Sequence, residues 1–179
     1  MTSQTSPEQP AYATGGGPTA SHDRAAVICA STRAATGVYP DTTGPIIVDA
    51  LRTWGFDVAD ALVVPDGEPV AEALSAALAS GPAVLLTTGG TGISPTDVTP
   101  EMTRRFLDRE VAGIADAIRS AGIAKGVPTA MLSRGLAGVS GTTLVVNLPG
   151  SSGGVRDALE VLGGVLTHAI DQIRGGDHR

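Results

Sequence analysis

The sequence predicts a three-layer α/β/α sandwich with a mostly parallel sheet. Short apolar runs alternate with amphipathic stretches from residue 23 to about residue 174, which is the pattern of a chain that alternates strands with helices. The apolar runs, such as residues 83–86, contain no alternating polar residues, and this indicates a sheet covered by helices on both faces. With 179 residues, of which 42% are hydrophobic and 17% charged, the chain is long enough for one globular domain with a sizeable core.

Apolar runs and helix-boundary residues place the individual elements. Strands are predicted at residues 25–30, 58–64, 83–87 and 142–147, with a weaker strand near residues 129–133. Helices are predicted at residues 44–54, 69–79, 100–108, 112–121 and 153–173. Pro45 and Pro100 lie in predicted first helical turns, where an N–H is not needed, and Gly55 follows Trp54 as a C-terminal cap.

The two ends of the chain differ from its centre. Residues 1–22 are rich in Ser, Thr, Pro, Gly and Gln without an apolar period, which predicts a disordered N-terminal tail. Residues 23–174 form the predicted domain, and residues 175–179 form a short C-terminal tail. No apolar run approaches the ~18 residues of a membrane span, and the N-terminus lacks a signal-peptide core, so a cytoplasmic protein is expected, with no membrane partner.

The composition also argues against nucleic acid as a partner. The formal net charge is −6, so the chain as a whole gains nothing from counterion release on DNA or RNA. Aromatic residues are only 3%, which leaves no platform for stacking a run of bases. The single cysteine, Cys29, cannot form an internal disulfide and is expected to be a buried strand residue.

The most informative segment is a glycine- and threonine-rich run, TTGGTGISPTD, at residues 87–97. Glycines can turn the backbone through positive φ and aim its N–H groups at an anion, and hydroxyls add uncharged donors. The predicted phosphate cradle consists of Thr88, Gly89, Gly90, Thr91 and Gly92. The alternative is an ordinary strand-to-helix turn of an α/β protein.

Neither standard phosphate motif accounts for this run. A Walker loop ends in Gly-Lys-Ser/Thr, and the only lysine, Lys125, is followed by Gly126 and Val127. The dinucleotide fingerprint G-x-G-x-x-G matches poorly, because the glycines are 89, 90 and 92 and the next helix cannot begin before Thr99. A serine hydrolase is excluded by the absence of a G-x-S-x-G elbow and of a plausible triad histidine.

Two aspartates follow predicted strands and are expected to meet. Asp66 follows the second strand and Asp97 lies at the mouth of the cradle, and the carboxyl ends of parallel strands share one edge of a sheet. A carboxylate beside bound phosphates would repel them unless a divalent cation lies between, so the pair predicts a Mg²⁺-phosphate site held by Asp66 and Asp97. For Asp66, a plain Pro-Asp-Gly turn is an equally good interpretation.

The loop before the final helix offers a second anion site. Residues 147–154 open this helix, whose free N–H groups and dipole favour an anion, and Ser151 adds a hydroxyl. The alternative is a tight turn in which a serine caps the helix. Arg156 lies one turn further on and either reaches back to a phosphate or lies in solvent.

Four motifs in order resemble one known family. Residues 88–92 (TGGTG) are followed by DVTPE at 97–101, by LSRG at 132–135 and by NLPGS at 147–151. This arrangement resembles the molybdenum-cofactor biosynthesis proteins of the Mog and MoaB type, and the resemblance covers about residues 23 to 174. Members of this family fold as a single α/β/α domain.

The resemblance implies a molybdopterin adenylyltransferase, which uses Mg²⁺ and ATP to attach AMP to the terminal phosphate of molybdopterin and releases pyrophosphate. The family's two critical aspartates match Asp66 and Asp97. Its motifs further imply a substrate-binding role for Ser133, Arg134, Pro149, Gly150 and Ser151. A homotrimer is also implied, and a metal-inserting enzyme is a candidate partner.

Two differences bear on this interpretation. Family members often have proline after Pro-Gly-Ser, whereas this chain has Ser152-Gly153-Gly154, which predicts a more flexible last loop. Some relatives bind pterin without an assured role in adenylation, so the alternative function is a non-catalytic molybdopterin carrier or scaffold. The presence of both Asp66 and Asp97 favours the enzyme, because a carrier of an anionic pterin has no need of two carboxylates beside its phosphate site.

Overall fold

The computed structural model describes residues 23–176 and shows the predicted α/β/α sandwich. The predicted N-terminal tail at residues 1–22, and residues 177–179 of the predicted C-terminal tail, lie outside the described residues. The strands are β1 (Arg24–Ala30), β2 (Asp57–Val58), β3 (Leu62–Val64), β4 (Val84–Thr88), β5 (Arg109–Glu110), β6 (Ala137–Ser140) and β7 (Thr143–Leu148).

The described strands form one mixed sheet in the order β2-β1-β4-β7-β6-β5, with β3 pairing with β1 beside β2. β1, β2, β3, β4 and β7 run parallel, and in the central pair Ala25 to Cys29 lie opposite Val84 to Thr88. β6 and β5 continue the sheet antiparallel at one edge. The expected mostly parallel sheet is therefore confirmed, with an antiparallel extension.

Helices cover both faces of the sheet. They are α1 (Thr32–Ala35), α2 (Gly44–Thr53), α3 (Glu68–Ala79), α4 (Thr99–Arg104), α5 (Ala112–Ala124), α6 (Ser152–Gly163) and α7 (Leu166–Ile173), with a 3-10 helix at Pro128–Leu132. α2, α5, α6 and α7 contribute side chains to a core on one face, and α3 contributes to a core on the other. Three layers result.

Alternating strand residues supply the two cores. In β4, Val84 and Leu86 pack against the first group of helices, whereas Leu85 packs against α3. β7 does the same, with Val145 on the α3 face. Because both faces are buried, the strand sequences are apolar at every position rather than at every second one. This arrangement leaves the carboxyl edge of the parallel strands free to hold a site.

Two predicted strands are wrong in detail. Residues 58–64 do not form one strand: β2 and β3 are separated at residues 59–61 and pair with opposite ends of β1. Residues 129–133 form no strand, because Pro128 begins a 3-10 helix there, and no residue of this segment pairs with a strand in the described part of the chain. The antiparallel strand β6 follows it instead, and its Gly138 gives little sequence signal.

The helix ends also differ from the prediction. The helix predicted at residues 153–173 is two helices, because Gly163, Gly164 and Val165 interrupt it. α4 ends at Arg104, four residues earlier than predicted, and α5 continues to Ala124. The short elements α1 and β5 were not predicted. Within residues 23–176, no helix is long and apolar enough to cross a membrane.

Candidate functional site

Four neighbouring parallel strands end at one edge of the sheet, and their loops enclose two cavities. The first, called the carboxylate cavity, has a volume of about 460 Å³ and is lined by Asp66 and Asp97. The second, called the serine cavity, has a volume of about 430 Å³ and is lined by Ser133 and Ser151. The two cavities share three lining residues: Gly90, Asp97 and Gly150.

The cradle that follows β4 requires glycine for conformation and for space. Gly89 and Gly90 have φ of +89° and +61°, a region that side-chain-bearing residues rarely adopt. A Cβ at Gly89 would overlap the carbonyl oxygen of Ala30, the last residue of β1. A Cβ at Gly150 would lie 3.2 Å from the Cα of Gly89, so the loops after β4 and β7 touch backbone to backbone. Thr88 ties them further by donating its hydroxyl to the Pro149 carbonyl at 2.7 Å.

Asp66 is held at the end of β3 by the first residue of α1. Its Oδ2 accepts hydrogen bonds from the Thr32 backbone N–H at 3.0 Å and from the Thr32 hydroxyl at 2.8 Å. The side chain is half-buried, and among the described residues nothing donates to its Oδ1. The turn of Asp66 is thus more than a plain Pro-Asp-Gly turn, because it is fixed to a second strand end.

Asp97 is held within its own loop. Its Oδ2 accepts a hydrogen bond from the Ser94 backbone N–H at 3.0 Å, and a Cβ at Gly92 would lie 2.7 Å from that oxygen. The side chain is half-buried, and its Oδ1 receives no hydrogen bond from the described residues. The structure therefore brings Asp66 and Asp97 to one cavity, each with one carboxylate oxygen still able to accept a ligand.

An orphaned hydroxyl lies at the same place. Thr99 is 1% exposed, and its Oγ1 has no hydrogen-bond partner among the described residues. A Cβ at Gly90 would overlap this Oγ1 and lie 3.1 Å from Oδ1 of Asp66, so the hydroxyl and the carboxylate flank the same glycine. A buried hydroxyl normally has a partner. A ligand or ordered water in the carboxylate cavity would supply it.

The donor set suits Mg²⁺ bound together with phosphates. No group of three His, Cys, Asp or Glu side chains within residues 23–176 could hold a metal by itself. Mg²⁺ typically binds through one or two carboxylates, several waters and the phosphates of a substrate. Asp66 and Asp97 provide that number of carboxylates, and the Thr99 hydroxyl could bond to a metal-bound water. The residues present therefore fit the ion.

The serine cavity has a different character. Its walls include the apolar side chains of Ile118, Val127 and Leu132. Ser151 caps α6, because its Oγ accepts a hydrogen bond from the Gly154 N–H at 3.1 Å, so the predicted serine cap is present and also lines the cavity. The helix interior begins directly behind it, which leaves N–H groups of the first turn at the cavity wall. Pro149 lines the same cavity.

Arg134 lies behind the cradle and lines neither cavity. Its Nε donates to the Gly92 carbonyl at 2.7 Å, and its other nitrogens donate to the Asp97 carbonyl and to the Glu101 carboxylate. The Arg134 backbone N–H also donates to the Thr91 carbonyl at 2.8 Å. This hydrogen bonding with Arg134 lowers the pKa of Glu101 from its ordinary value of 4.5. Arg134 thus fixes the loop that carries Asp97.

Cys29 lies at the base of the carboxylate cavity, buried as expected. Its Sγ donates to Oδ1 of Asp41 at 3.4 Å, and burial followed by the charge of Asp41 raises the pKa of the thiol to about 12. Asp41 in turn accepts hydrogen bonds from the Thr43 and Gly44 backbone N–H groups at 2.9 and 3.0 Å, at the start of α2. This aspartate therefore serves the helix end.

Sequence reasoning missed three contributors to the site. Thr32 was overlooked because the short helix α1 that presents it carries no periodic signal, although it directly follows β1. Thr99 belongs to a recognised motif, but its burial becomes visible only when α4 packs against the sheet. Tyr39 lines the carboxylate cavity from a loop that had no assigned element.

The fold and the site define an α/β protein that keeps its ligand site at the carboxyl edge of a doubly covered sheet. The chain belongs to the family of molybdopterin-binding domains, because the family profile described as "Probable molybdopterin binding domain" matches residues 26–168. The resemblance to Mog- and MoaB-type proteins of molybdenum cofactor biosynthesis is confirmed.

Named relatives support this membership. The molybdenum cofactor biosynthesis bifunctional protein of Chlorobaculum tepidum is 36% identical over 159 residues, which are 88% of this chain and 50% of that relative, so the chain spans about half its length. The molybdopterin adenylyltransferase of Escherichia coli is 33% identical over 156 residues, covering 82% of this chain and 79% of the relative. The solved structure of the molybdopterin biosynthesis Mog protein from Mycobacterium ulcerans is 56% identical, with a TM-score of 0.81, over 84% of this chain and 99% of that one.

Proposed function

We propose that the chain is a molybdopterin adenylyltransferase that transfers AMP from Mg-ATP to the terminal phosphate of molybdopterin. A phosphate oxygen of the pterin attacks the α-phosphorus of ATP, and the bond from that phosphorus to the β-phosphate oxygen breaks. Pyrophosphate leaves with the electron pair. The observation that carries the proposal is the pairing of Asp66 and Asp97 in a cavity that shares its wall with a second cavity.

Mg²⁺, which Asp66 and Asp97 would hold, supplies charge neutralisation for the nucleotide phosphates and the leaving pyrophosphate. The remaining work falls to positioning, since two polyanions must be brought together in line. The backbone of Gly89 and Gly90 would approach phosphate oxygens closely, because nothing larger than glycine fits there. Arg134 keeps the loop of Asp97 in register, and Thr32 does the same for Asp66.

The shared wall explains how two substrates could react without a large movement of the chain. Gly90, Asp97 and Gly150 line both cavities, so groups bound on either side lie close to the same carboxylate. The serine cavity offers apolar walls and the capped start of α6, a combination that suits a ring system with a phosphate. The relatives' names also point to a pterin phosphate as one of the ligands.

The decisive experiment measures adenylated molybdopterin and pyrophosphate formed from purified protein, molybdopterin and Mg-ATP. Asp66→Asn and Asp97→Asn remove charge at the site but keep an amide oxygen that can accept the existing hydrogen bonds, so both variants should fold. We expect turnover to fall by at least 10²-fold in each. Asp49→Asn, which removes an exposed carboxylate from α2, serves as the matched control and should retain full turnover.

Pterin binding without product from the wild-type protein would contradict the adenylyltransferase and leave the non-catalytic carrier. The homotrimer, the cytoplasmic location and the metal-inserting partner implied by the family stay predictions. Sedimentation equilibrium of the full chain would test the first of these directly.

A further inference from the structure

We propose that Arg33, stacked on Tyr39, is the cation that binds the phosphate groups of the nucleotide in the carboxylate cavity. This inference rests on the proposed function and adds a residue for which no role has been assigned. The guanidinium carbon of Arg33 lies 4.1 Å from the centroid of the Tyr39 ring, and one guanidinium nitrogen donates to the Tyr39 hydroxyl. Both residues line the carboxylate cavity.

The charge balance of the cavity calls for such a residue. Asp41, Asp66 and Asp97 line it, and Arg33 is the only Lys, Arg or His among its described lining residues. Arg33 forms no salt bridge with any carboxylate of residues 23–176, even though its cavity contains three. Its positive charge therefore remains available for an anionic ligand.

The other arginines near the cradle are occupied. Arg134 donates to three groups behind the loop, as described above. Arg104 pairs with Glu110 at 3.2 Å, and Arg105 pairs with Glu68 at 2.8 Å. None of the three lines either cavity. Among the described residues, Arg33 is thus the guanidinium that can reach phosphates beside Asp66 and Asp97.

The position of Arg33 is fixed by its loop rather than left to a flexible side chain. Ser31 caps α1, and the carbonyl of Arg33 accepts the Val38 backbone N–H at 2.8 Å, which closes the turn through Gly37 at φ +75°. The residue before Arg33 is Thr32, which binds Asp66 through both its N–H and its hydroxyl. The cation and the carboxylate are therefore positioned through neighbouring residues.

The stacking geometry suits phosphate recognition. A guanidinium that lies on an aromatic ring keeps its N–H groups pointing outward in its own plane, where they can form paired hydrogen bonds with phosphate oxygens. The tyrosine ring also restricts the long arginine side chain before the ligand arrives, which reduces the entropy lost on binding. Lysine cannot reproduce either property, because its ammonium is a point charge without a plane.

The test measures binding of Mg-pyrophosphate by titration calorimetry, so it does not depend on turnover. We expect Arg33→Ala to weaken binding about tenfold or more and Arg33→Lys to restore it only in part. Tyr39→Leu should weaken binding although Arg33 is still present, whereas Tyr39→Phe, which keeps the ring, should stay closer to the wild type. Arg105→Ala is the matched control, since it removes an exposed arginine that lines neither cavity.

Unchanged binding by Arg33→Ala, or an equal loss in Arg105→Ala, would overturn the inference. A phosphomonoester is titrated in parallel: weakening confined to it would assign Arg33 to the pterin phosphate and overturn the nucleotide assignment. Thermal unfolding shows whether each variant is folded, and Arg33→Lys keeps the test valid if the alanine variant is not. Wild-type protein that binds pyrophosphate through Arg33 but makes no adenylated product would contradict the proposed function alone.

Discussion

Thr32 and Asp66 are joined by a reciprocal set of hydrogen bonds across two adjacent strand ends. The Thr32 hydroxyl donates to the Asp66 carboxylate at 2.8 Å and accepts from the Asp66 backbone N–H at 3.1 Å, while the Thr32 N–H donates to the same carboxylate at 3.0 Å. These contacts orient the carboxylate before any ligand binds. Partners of this kind affect metal affinity although they never touch the metal.

Thr32→Val should therefore reduce catalysis more than stability. We expect kcat/KM for adenylation to fall about tenfold and the apparent Mg²⁺ affinity to fall with it, because Asp66 loses one of its two donors. The control is Thr53→Val, which removes an exposed threonine hydroxyl bonded to the Asp49 carbonyl at 2.8 Å. Equal activity in the two variants would show that Thr32 does not position the carboxylate.

The glycine cradle predicts a contrast between two glycines that both have positive φ. Gly89→Ala should cost at least about 2 kcal/mol of unfolding free energy, since the new Cβ is strained and also overlaps the Ala30 carbonyl. Gly81→Ala has φ of +67° but open space around the new Cβ, so it should cost only about 1 kcal/mol. Urea unfolding of both variants measures the difference, and equal costs would contradict a close approach at Gly89.

The ion pair between Arg134 and Glu101 predicts a pH-dependent contribution to stability. The pKa of Glu101 is lowered in the folded protein, chiefly by its hydrogen bond with Arg134, so the pair stabilises the fold above pH 4.5 and this contribution is lost as the pH falls further. Because both side chains are partly exposed, we expect less than about 1 kcal/mol between wild type and Glu101→Gln at pH 7.

Urea unfolding at several pH values checks this prediction. The difference in free energy between the wild type and Glu101→Gln should shrink between pH 4.5 and pH 3. A difference that stays constant over this range would mean that charge is not its origin. Hydrogen exchange in Arg134→Met should additionally speed up at residues 92–97, because the carbonyls of Gly92 and Asp97 lose their donor.

Cys29 should be inert in the folded protein. Burial, together with the neighbouring Asp41, raises the pKa of its thiol to about 12, so the thiolate is scarce at pH 8. We expect a disulfide reagent to label Cys29 only after denaturant has unfolded the chain. Because the folded pKa lies above the ordinary value of 9.0, this group stabilises the fold below pH 9 and loses that contribution as the pH rises towards 12. Rapid labelling of the native protein at pH 8 would contradict the assignment.

The parts of the fold that the sequence could predict are those with repeated, local signals. The buried strands β1, β4 and β7 are apolar at nearly every position, and Pro45 and Pro100 mark the starts of α2 and α4. β6 escaped because its few residues include a glycine and its pairing with β7 is a long-range property. The break at Gly163 and Gly164 was missed because an apolar period continues across it.

The site followed a similar division. Placing Asp66 and Asp97 at one edge needed only the rule that parallel strands end together. The motif could not reveal that the guanidinium of Arg134 is turned to the rear of the loop, because that depends on which carbonyls lie within its reach. The stack of Arg33 on Tyr39 was equally hidden, since it arises from a six-residue turn without regular structure.

The common wall of Gly90, Asp97 and Gly150 has a consequence for the timing of the proposed reaction. A molecule formed by joining the two substrates would keep the contacts of both halves at once, so dissociation of either half leaves the other anchored at high effective concentration. The adenylated pterin should then leave far more slowly than pyrophosphate, and its departure would set the turnover rate. A burst of one product per chain followed by a slow steady phase is the expected signature.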